Sequence, residues 1–262
     1  MINSNIVQYH PVTGEILRTF DSDKHYIRAK TSDDAYKQYI SQDNRHFSFA
    51  DMDTTKFIIS NISTVHCGYL LILQCYMEYG TGKLKLARKE MPKAVGMSES
   101  TFIRFWKVML NYGIITEKNG EFYVNPYFHF RQQPQHNRVI KLFFTPLKQL
   151  IGKLTASELG FLYKLLPYVH YDTNMICVDP FTEPEDIQFL NKTQIALLVG
   201  MDEKKTSKLL EKLRKIGVVA ETIRQDDKRD RIFTMNPYVF YRKKGYPDDT
   251  LRGLFSSTSY CK

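Results

Sequence analysis

The sequence predicts an α+β chain, mostly helical, with two tandem helix-turn-helix units, each carrying a hairpin, behind a short N-terminal extension. The first observation is the stretch Asn191–Gly245. Lys192–Leu198 suits a short helix, and Val199-Gly200-Met201 turns the chain. Asp202 is a good N-cap, because its carboxylate can accept a free backbone N–H of the next helix. Thr206, Leu209, Leu210, Leu213 and Ile216 then form one apolar stripe at helical spacing, closed by Gly217. Two β-prone runs follow, Val218–Arg224 and Arg231–Met235, joined by the polar turn Gln225–Asp230. Helix, turn, helix and two-stranded ribbon make a helix-turn-helix with a wing.

The second observation is that the unit occurs twice. Val95-Gly96-Met97-Ser98 matches Val199-Gly200-Met201-Asp202 at an offset of 104 positions (96 to 200), and Phe102, Phe105, Trp106, Met109 and Tyr112 fall on the apolar stripe. Asn125-Pro126-Tyr127 matches Asn236-Pro237-Tyr238 at 111 (125 to 236), so the second wing is longer by 111 − 104 = 7 residues. Upstream, Gly68-Tyr69-Leu70 matches Gly160-Phe161-Leu162 at 92 (68 to 160), which leaves 104 − 92 = 12 extra residues in the region Asp172–Gln188 of the second copy. Three blocks keep one order, and the length changes fall in loops.

The expected boundaries follow: an extension over 1–46, a first winged-helix domain over 47–131, a linker over 132–138, a second domain over 139–245 and a tail over 246–262. In the extension, Val7–His10 and Glu15–Phe20 are strand candidates around a turn, and Asp33–Gln42 suits a short helix. The first domain is expected to hold a long helix Val65–Tyr79, a support helix Leu84–Ala94 weakened by Pro92, and a second helix capped by Ser98. Lys118-Asn119-Gly120 is a hairpin turn. Gln132–Asn137 is polar and proline-interrupted, as a linker should be. The second domain opens with a strand Val139–Phe144 and helices Pro146–Gly152 and Thr155–Tyr168, then a loop Asp172–Asp186. The Ser- and Gly-containing tail reads as loosely held.

Charge is the third observation. The net charge is +9, and Asn191–Gly245 alone carries nine Lys and five Arg against seven carboxylates, or +7. A charge run by itself is most often a solvated face. Carried on the second helix and wing of a helix-turn-helix, it implies a polyanion partner, because cations that neutralise phosphates release condensed counterions. Lys204, Lys205, Lys208 and Lys212 lie off the apolar stripe, and Ser207 is a polar base-contact candidate. Arg224, Lys228, Arg229 and Arg231 mark the second wing; Ser100, Thr101, Arg104 and Lys107 are the exposed positions of the first copy's second helix. That helix also carries Ile103, Val108 and Leu110 where the second copy has Ser207, Lys212 and Arg214, which points to a partner surface, either a second subunit or the extension.

Other classes receive no support. No apolar run opens the chain, and the longest, near Gly68–Met77, is half a membrane span. The four cysteines have no CxxC spacing, which fits a reducing cytoplasm. There is no phosphate loop, no HExxH, and no HxH pair beside a tyrosine, so neither catalysis nor a metal or other cofactor is expected.

With repeat, wings and linker in place, the chain resembles, over about residues 47–245, the replication initiators of plasmids and phages built from two winged-helix domains in one polypeptide. The wing-closing Asn125-Pro126-Tyr127-Phe128 and Asn236-Pro237-Tyr238-Val239 are similar to the Asn-Pro strand of firmicute plasmid replication and maintenance proteins. The resemblance implies binding of double-stranded DNA at repeated origin sites, with one domain serving dimerisation and the other the main DNA contact, and recruitment of host replication proteins. The residues above assign a homodimer to domain 1 and the main DNA contact to domain 2. A transcriptional regulator with the same DNA-reading parts is the alternative, and a protein-interaction scaffold a weaker third.

Overall fold

The structure is a computed structural model that describes residues 5–9, 16–21, 45–224 and 227–261; for 5–9, 16–21, 224, 227–230 and 261 only the backbone is described. The chain divides into two compact units, 1–44 and 45–262. Within the first, β1 (Asn5–Tyr9) pairs antiparallel with β2 (Ile16–Asp21), as expected. The helix expected over Asp33–Gln42 lies outside the described residues.

The second unit is an α+β fold. Its first copy comprises β3 (Phe47–Asp51), α1 (Met52–Asn61), α2 (Thr64–Leu73), α3 (Met91–Val95), α4 (Glu99–Asn111), the hairpin β4 (Ile115–Lys118) and β5 (Glu121–Val124), and β6 (His129–Phe130). The second copy repeats that order with β7 (Val139–Phe143), α5 (Phe144–Gln149), α6 (Ala156–Leu165), α7 (Lys192–Val199), α8 (Glu203–Lys215), β8 (Val219–Arg224), β9 (Asp227–Met235) and β10 (Phe240–Tyr241). A last helix, α9 (Asp249–Leu254), closes the chain.

Local chemistry explains the boundaries. Asp51, Ser63 and Ser98 cap α1, α2 and α4 through side-chain oxygens, and Thr155 with Glu158 and Asn191 with Gln194 form reciprocal capping boxes on α6 and α7. Residues Leu84–Glu90, expected to be helical, are not; α3 begins only at Met91, because proline is tolerated in the first turn of a helix and Pro92 sits there. The helix expected to reach Tyr79 ends at Leu73 and passes into a 3-10 turn, Gln74–Tyr76. The strand β3 is not among the expected elements, although the offset of 92 carries its residues 47–51 onto 139–143.

The two copies are welded together. Strands β10, β7, β3 and β6 form one antiparallel sheet in that order. Phe49 faces Lys141, and these are equivalent positions of the repeat, so the β3–β7 ladder runs symmetrically outward from them: Phe47 to Phe143 and Asp51 to Val139. The helices α2 and α6 obey the same symmetry. A Cβ built on Gly68 would stand 1.9 Å from the Ala156 carbonyl oxygen, and one built on Gly160 would stand 1.7 Å from that of Thr64. Gly68 and Gly160, Thr64 and Ala156 are each 92 positions apart (68 to 160, 64 to 156), so the contact is reciprocal and a local twofold axis relates the copies. One buried cluster runs through both, from Ala50 to Tyr260. The segment 132–138 is exposed as a linker should be, yet it is held: Arg138 pairs with Asp53 at 2.6 Å, and the buried Arg242 donates to the Asn137 carbonyl at 3.1 Å.

The tail is not loosely held. Leu251 packs on Phe143 and Tyr241, and Tyr260 joins the main core. The twelve-residue insertion is also anchored: His170 Nε2 lies 2.9 Å from the Thr182 carbonyl, Arg242 donates to the Pro180 carbonyl at 2.7 Å, and the Arg138 and Arg242 guanidiniums lie 3.7 and 4.7 Å from the centre of the Phe181 ring.

Gly160→Ala should lower stability by about 3 kcal/mol or more, because two backbones rather than flexible side chains must separate, and the melting temperature should fall by roughly 6 °C or more; an unchanged melt would mean that α2 and α6 do not touch. A pH dependence is expected from His129, buried with Nε2 2.7 Å from the Tyr163 hydroxyl and with its pKa lowered by burial to about 3. The unfolded imidazole titrates near ~6.5, so the folded value is depressed. The stability that neutral His129 contributes is complete above that pH and is lost as pH falls from there toward 3. The equivalent residue in copy 2 is Phe240. Chemical denaturation of His129→Phe should show a shallower loss of stability between about pH 6.5 and 4.5, by up to ~1.4 kcal/mol per pH unit, than the parent chain. Equal slopes would contradict this.

Candidate nucleic-acid interface

In each copy a left-handed glycine makes the turn between the paired helices. Gly96 (φ 73°) ends α3 and Gly200 (φ 67°) ends α7, a conformation glycine adopts without a Cβ penalty. The next residue but one starts the following helix: the Thr101 amide donates to Ser98 Oγ, and the Lys205 amide to Asp202 Oδ1 at 3.1 Å. The inner faces follow the expected stripes, with Phe102, Phe105, Trp106 and Met109 buried in α4 and Thr206, Leu209, Leu210 and Leu213 in α8, except that Tyr112, expected on the first stripe, is exposed.

The Asn-Pro segments have a defined task. Asn125 Nδ2 donates to the Gly113 carbonyl at 2.8 Å and its Oδ1 accepts the Tyr127 amide at 3.0 Å; Asn236 does the same with Gly217 at 2.6 Å and Tyr238 at 2.9 Å. The asparagine amides also donate to Ile114 and Val218, both at 2.9 Å. Each asparagine therefore clasps the outgoing strand of its hairpin to the C-terminal end of the preceding helix. Hairpin and helix become one body.

The outer face of α8 carries Lys204, Lys205 and Lys208 exposed, and none of the three makes an ion pair among the described residues. Ser207 is half-buried beside them. Lys212 is a correction to the expected set of free cations. Its ammonium lies 2.8 Å from both carboxylate oxygens of Glu158, tying α8 to the start of α6. Burial alone would raise the Glu158 pKa, but the Lys212 bond and the Thr155 cap more than offset it, and the carboxyl is held below its usual range.

Arg231 is also committed. It sits within β9 opposite Ile223 rather than in the turn, and it donates to Glu221 at 2.7 Å. Glu221 also meets Lys192 at 3.4 Å and Arg214 at 3.7 Å. Burial pushes its pKa up, and the Arg231 hydrogen bond and the nearby Lys192 charge push it down further. The wing is longer than expected, since β9 already starts at Asp227. The side chains of Arg224, Lys228 and Arg229 lie outside the described residues.

In copy 1, Ser100, Arg104 and Lys107 are exposed and Thr101 is half-buried. Ile103 and Leu110 are exposed as expected, but Val108 is packed against the core. The hairpin turn has Asn119 and Gly120 at φ 53° and 74°, the primed geometry an Asn-Gly pair favours. Of the aromatic run after it, Phe122 and Phe128 are buried, Tyr123 donates to Glu121 at 2.8 Å, and Tyr127 is 67% exposed.

Two features are not visible in the sequence alone. The first is an exposed aromatic face in copy 1: Phe57 lies 6.2 Å from Tyr112 and 6.1 Å from Phe128, ring to ring, and Phe57, Tyr112 and Tyr127 are 47%, 40% and 67% exposed. In copy 2 the tail covers the equivalent place, since a Cβ on Gly217 would meet Thr258 Cγ2 at 2.6 Å, whereas one on Gly113 meets nothing within 4 Å. The second is a run of free cations ahead of and within α3, at Lys85, Arg88, Lys89 and Lys93.

The buried Cys67, Cys75 and Cys177 thiols are pushed up to about 12 by burial, which makes them inert packing groups. No described helix is long and apolar enough to cross a membrane. No protein-family model, curated protein or solved structure matches the chain.

Proposed function

We propose that the chain is a sequence-specific double-stranded DNA-binding protein that performs no chemistry itself, and that within this class it is a plasmid or phage replication initiator. The observation that carries the reading is the outer face of α8, where Lys204, Lys205 and Lys208 stand exposed without ion-pair partners on a helix fixed from three sides by the Asn236 clasp, the Lys212–Glu158 pair and the core. In this reading each copy is a winged helix-turn-helix. A helix of this kind fits the major groove, residues of its N-terminal half reach base edges, and flanking cations meet phosphates.

The local twofold supports a further element of the proposal. Helix-turn-helix dimers place two reading helices on half-sites about one helical turn apart, and the dyad of the protein matches the dyad of the site. Here one chain supplies both helices, so a single chain covers two half-sites in inverted order. Such a site suits a promoter operator as well, and a transcriptional regulator is the second reading. The two separate in one experiment: whether the chain sustains replication of a plasmid that carries the DNA upstream of its own coding sequence. Host replication proteins are partners only in the first.

The aromatic face of Phe57, Tyr112 and Tyr127 favours pairing of two chains through copy 1, in place of the Ile103, Val108 and Leu110 surface expected from sequence. A fragment ending near Arg131 cannot test this, because it would expose the α2 and β3 faces that copy 2 covers. In the full chain, light scattering should report dimers that Phe57→Ser with Tyr127→Ser converts to monomers; a parent chain that stays monomeric at high concentration contradicts the pairing.

For DNA binding, the triple change of Lys204, Lys205 and Lys208 to Ala should leave the melt unchanged and weaken duplex binding, with a salt slope reduced by about 0.9 for each phosphate no longer neutralised. Lys212→Ala should do the reverse, because it leaves the half-buried Glu158 without its cation: lower thermal stability, unchanged salt slope. If the triple variant bound duplex as the parent does, the α8 face would not be the DNA surface.

A further inference from the structure

On its second helix, copy 1 displays only Arg104 and Lys107 as cations, yet the copy is not poor in positive charge. A run of free cations lies in the loop after Leu84 and in α3. Lys85, Arg88, Lys89 and Lys93 are all exposed, and none makes an ion pair among the described residues. The carboxylate within this run, Glu90, is turned back on the loop, where it accepts the Ala87 amide at 2.9 Å. The loop is fixed at both ends. The Leu84 amide donates to the Phe122 carbonyl of the wing at 2.8 Å, the Lys85 amide donates to Tyr76 at 3.0 Å, and Met91 and Pro92 are buried. Loop and wing turn together wall an open groove of about 720 Å³ lined by Lys83, Lys85, Arg88 and Gly120. Lys83 does not add to the free charge, since it is paired with Glu121.

The equivalent place in copy 2 has the opposite sign. The Ile176 amide donates to Phe233 at 2.8 Å just as Leu84 does to Phe122, so the anchor is shared by the two copies and the twelve extra residues begin after Ile176. That insertion carries Asp179, Glu183, Glu185 and Asp186, all exposed and none in an ion pair among the described residues. A fold with a local dyad thus has a basic loop beside one wing and an acidic loop beside the other.

We propose that the loop Lys85–Lys89, with Lys93 of α3 beside it, is a phosphate-backbone site of copy 1, and that the acidic insertion excludes DNA from the corresponding place in copy 2. The inference rests on the DNA-binding reading and deepens it. Copy 1 adds a backbone grip by its loop to the contact made by α4, copy 2 engages DNA with α8 alone, and the chain seats on a dyad-related pair of half-sites in one orientation. Cations at fixed positions gain by counterion release whatever the sequence, while carboxylates in the corresponding loop repel phosphates.

The test is fluorescence anisotropy of the full chain on a labelled duplex of arbitrary sequence, across a series of KCl concentrations. Changing Lys85, Arg88 and Lys89 to Ala should reduce the slope of log affinity against log salt by roughly two to three, near 0.9 per phosphate, and equally for unrelated sequences. Changing Glu183, Glu185 and Asp186 to their amides should tighten binding to the same duplex severalfold. All six side chains are exposed, so neither variant should alter the melt. An unchanged slope in the loop variant, with the parent chain binding and the Lys204, Lys205, Lys208 variant impaired, overturns the loop site and leaves the DNA reading standing. A parent chain that binds no duplex at low salt overturns both.

Discussion

The contact of α2 with α6 at Gly68 and Gly160 is the constraint on which the rest of the second unit depends. Each glycine admits the backbone of the other helix to a distance that any side chain would fill with its first carbon. The approach is offset by the burial it permits. Leu70, Leu71, Leu162 and Leu165, on the same two helices, are fully withdrawn from water, and the β3–β7 ladder closes over the same axis. Two units of this size could have been joined by a flexible tether, with their outer helices free to adjust. Instead the helices α4 and α8 are held in one relation by a shared core and a shared sheet. For the proposed role this has a direct consequence. A rigid pair of reading helices loses less freedom on binding than a tethered pair, and it tolerates only one spacing of half-sites.

The symmetry is carried by backbone and the asymmetry by side chains. His129 and Tyr163 form a buried polar pair at positions whose counterparts are Phe240 and Leu71. The tail seals Gly217 and Asn236 through Thr258, while Gly113 and Asn125 stay open beside Tyr112 and Tyr127. The loop before α3 is basic and the insertion before α7 is acidic. Every departure leaves the clasp, the turn and the cap untouched. Duplication followed by change of side chains away from these landmarks accounts for this pattern, since clasp, turn and cap serve both copies alike.

Much of this order is legible in the linear sequence, for identifiable reasons. Turn glycines at 96 and 200, caps at Ser98 and Asp202, and the apolar stripes are local signals, each set by residues within a few positions of one another. The repeat adds long-range information, because two sequences that share landmarks share a fold. What stays hidden depends on partners distant in sequence. Lys212 looks like any solvated lysine until Glu158, 54 positions away, is beside it. Arg231 reads as a free cation of the wing until Glu221 is seen to face it. Polar composition suggests a loose tail, but Leu251, Phe255 and Tyr260 are anchors spaced along it, and three such residues outweigh the serines between them. Pro92 reads as a weakness of the support helix, and its effect is to set where that helix starts. Analogy with the other copy places the free cations of the first on its second helix, whereas a run of them lies ahead of and within α3.

The proposed function turns on one relation, that a single chain presents two dyad-related helices to one duplex. Selection of bound sequences from a random duplex pool with the full chain, followed by measurement of the stoichiometry on the enriched duplex, addresses it most directly. The account predicts one enriched motif with two half-sites in inverted order at a fixed spacing, bound by the two helices of one chain. Enrichment of a single undivided half-site, of direct repeats that each need a separate chain, or of nothing at all would contradict it.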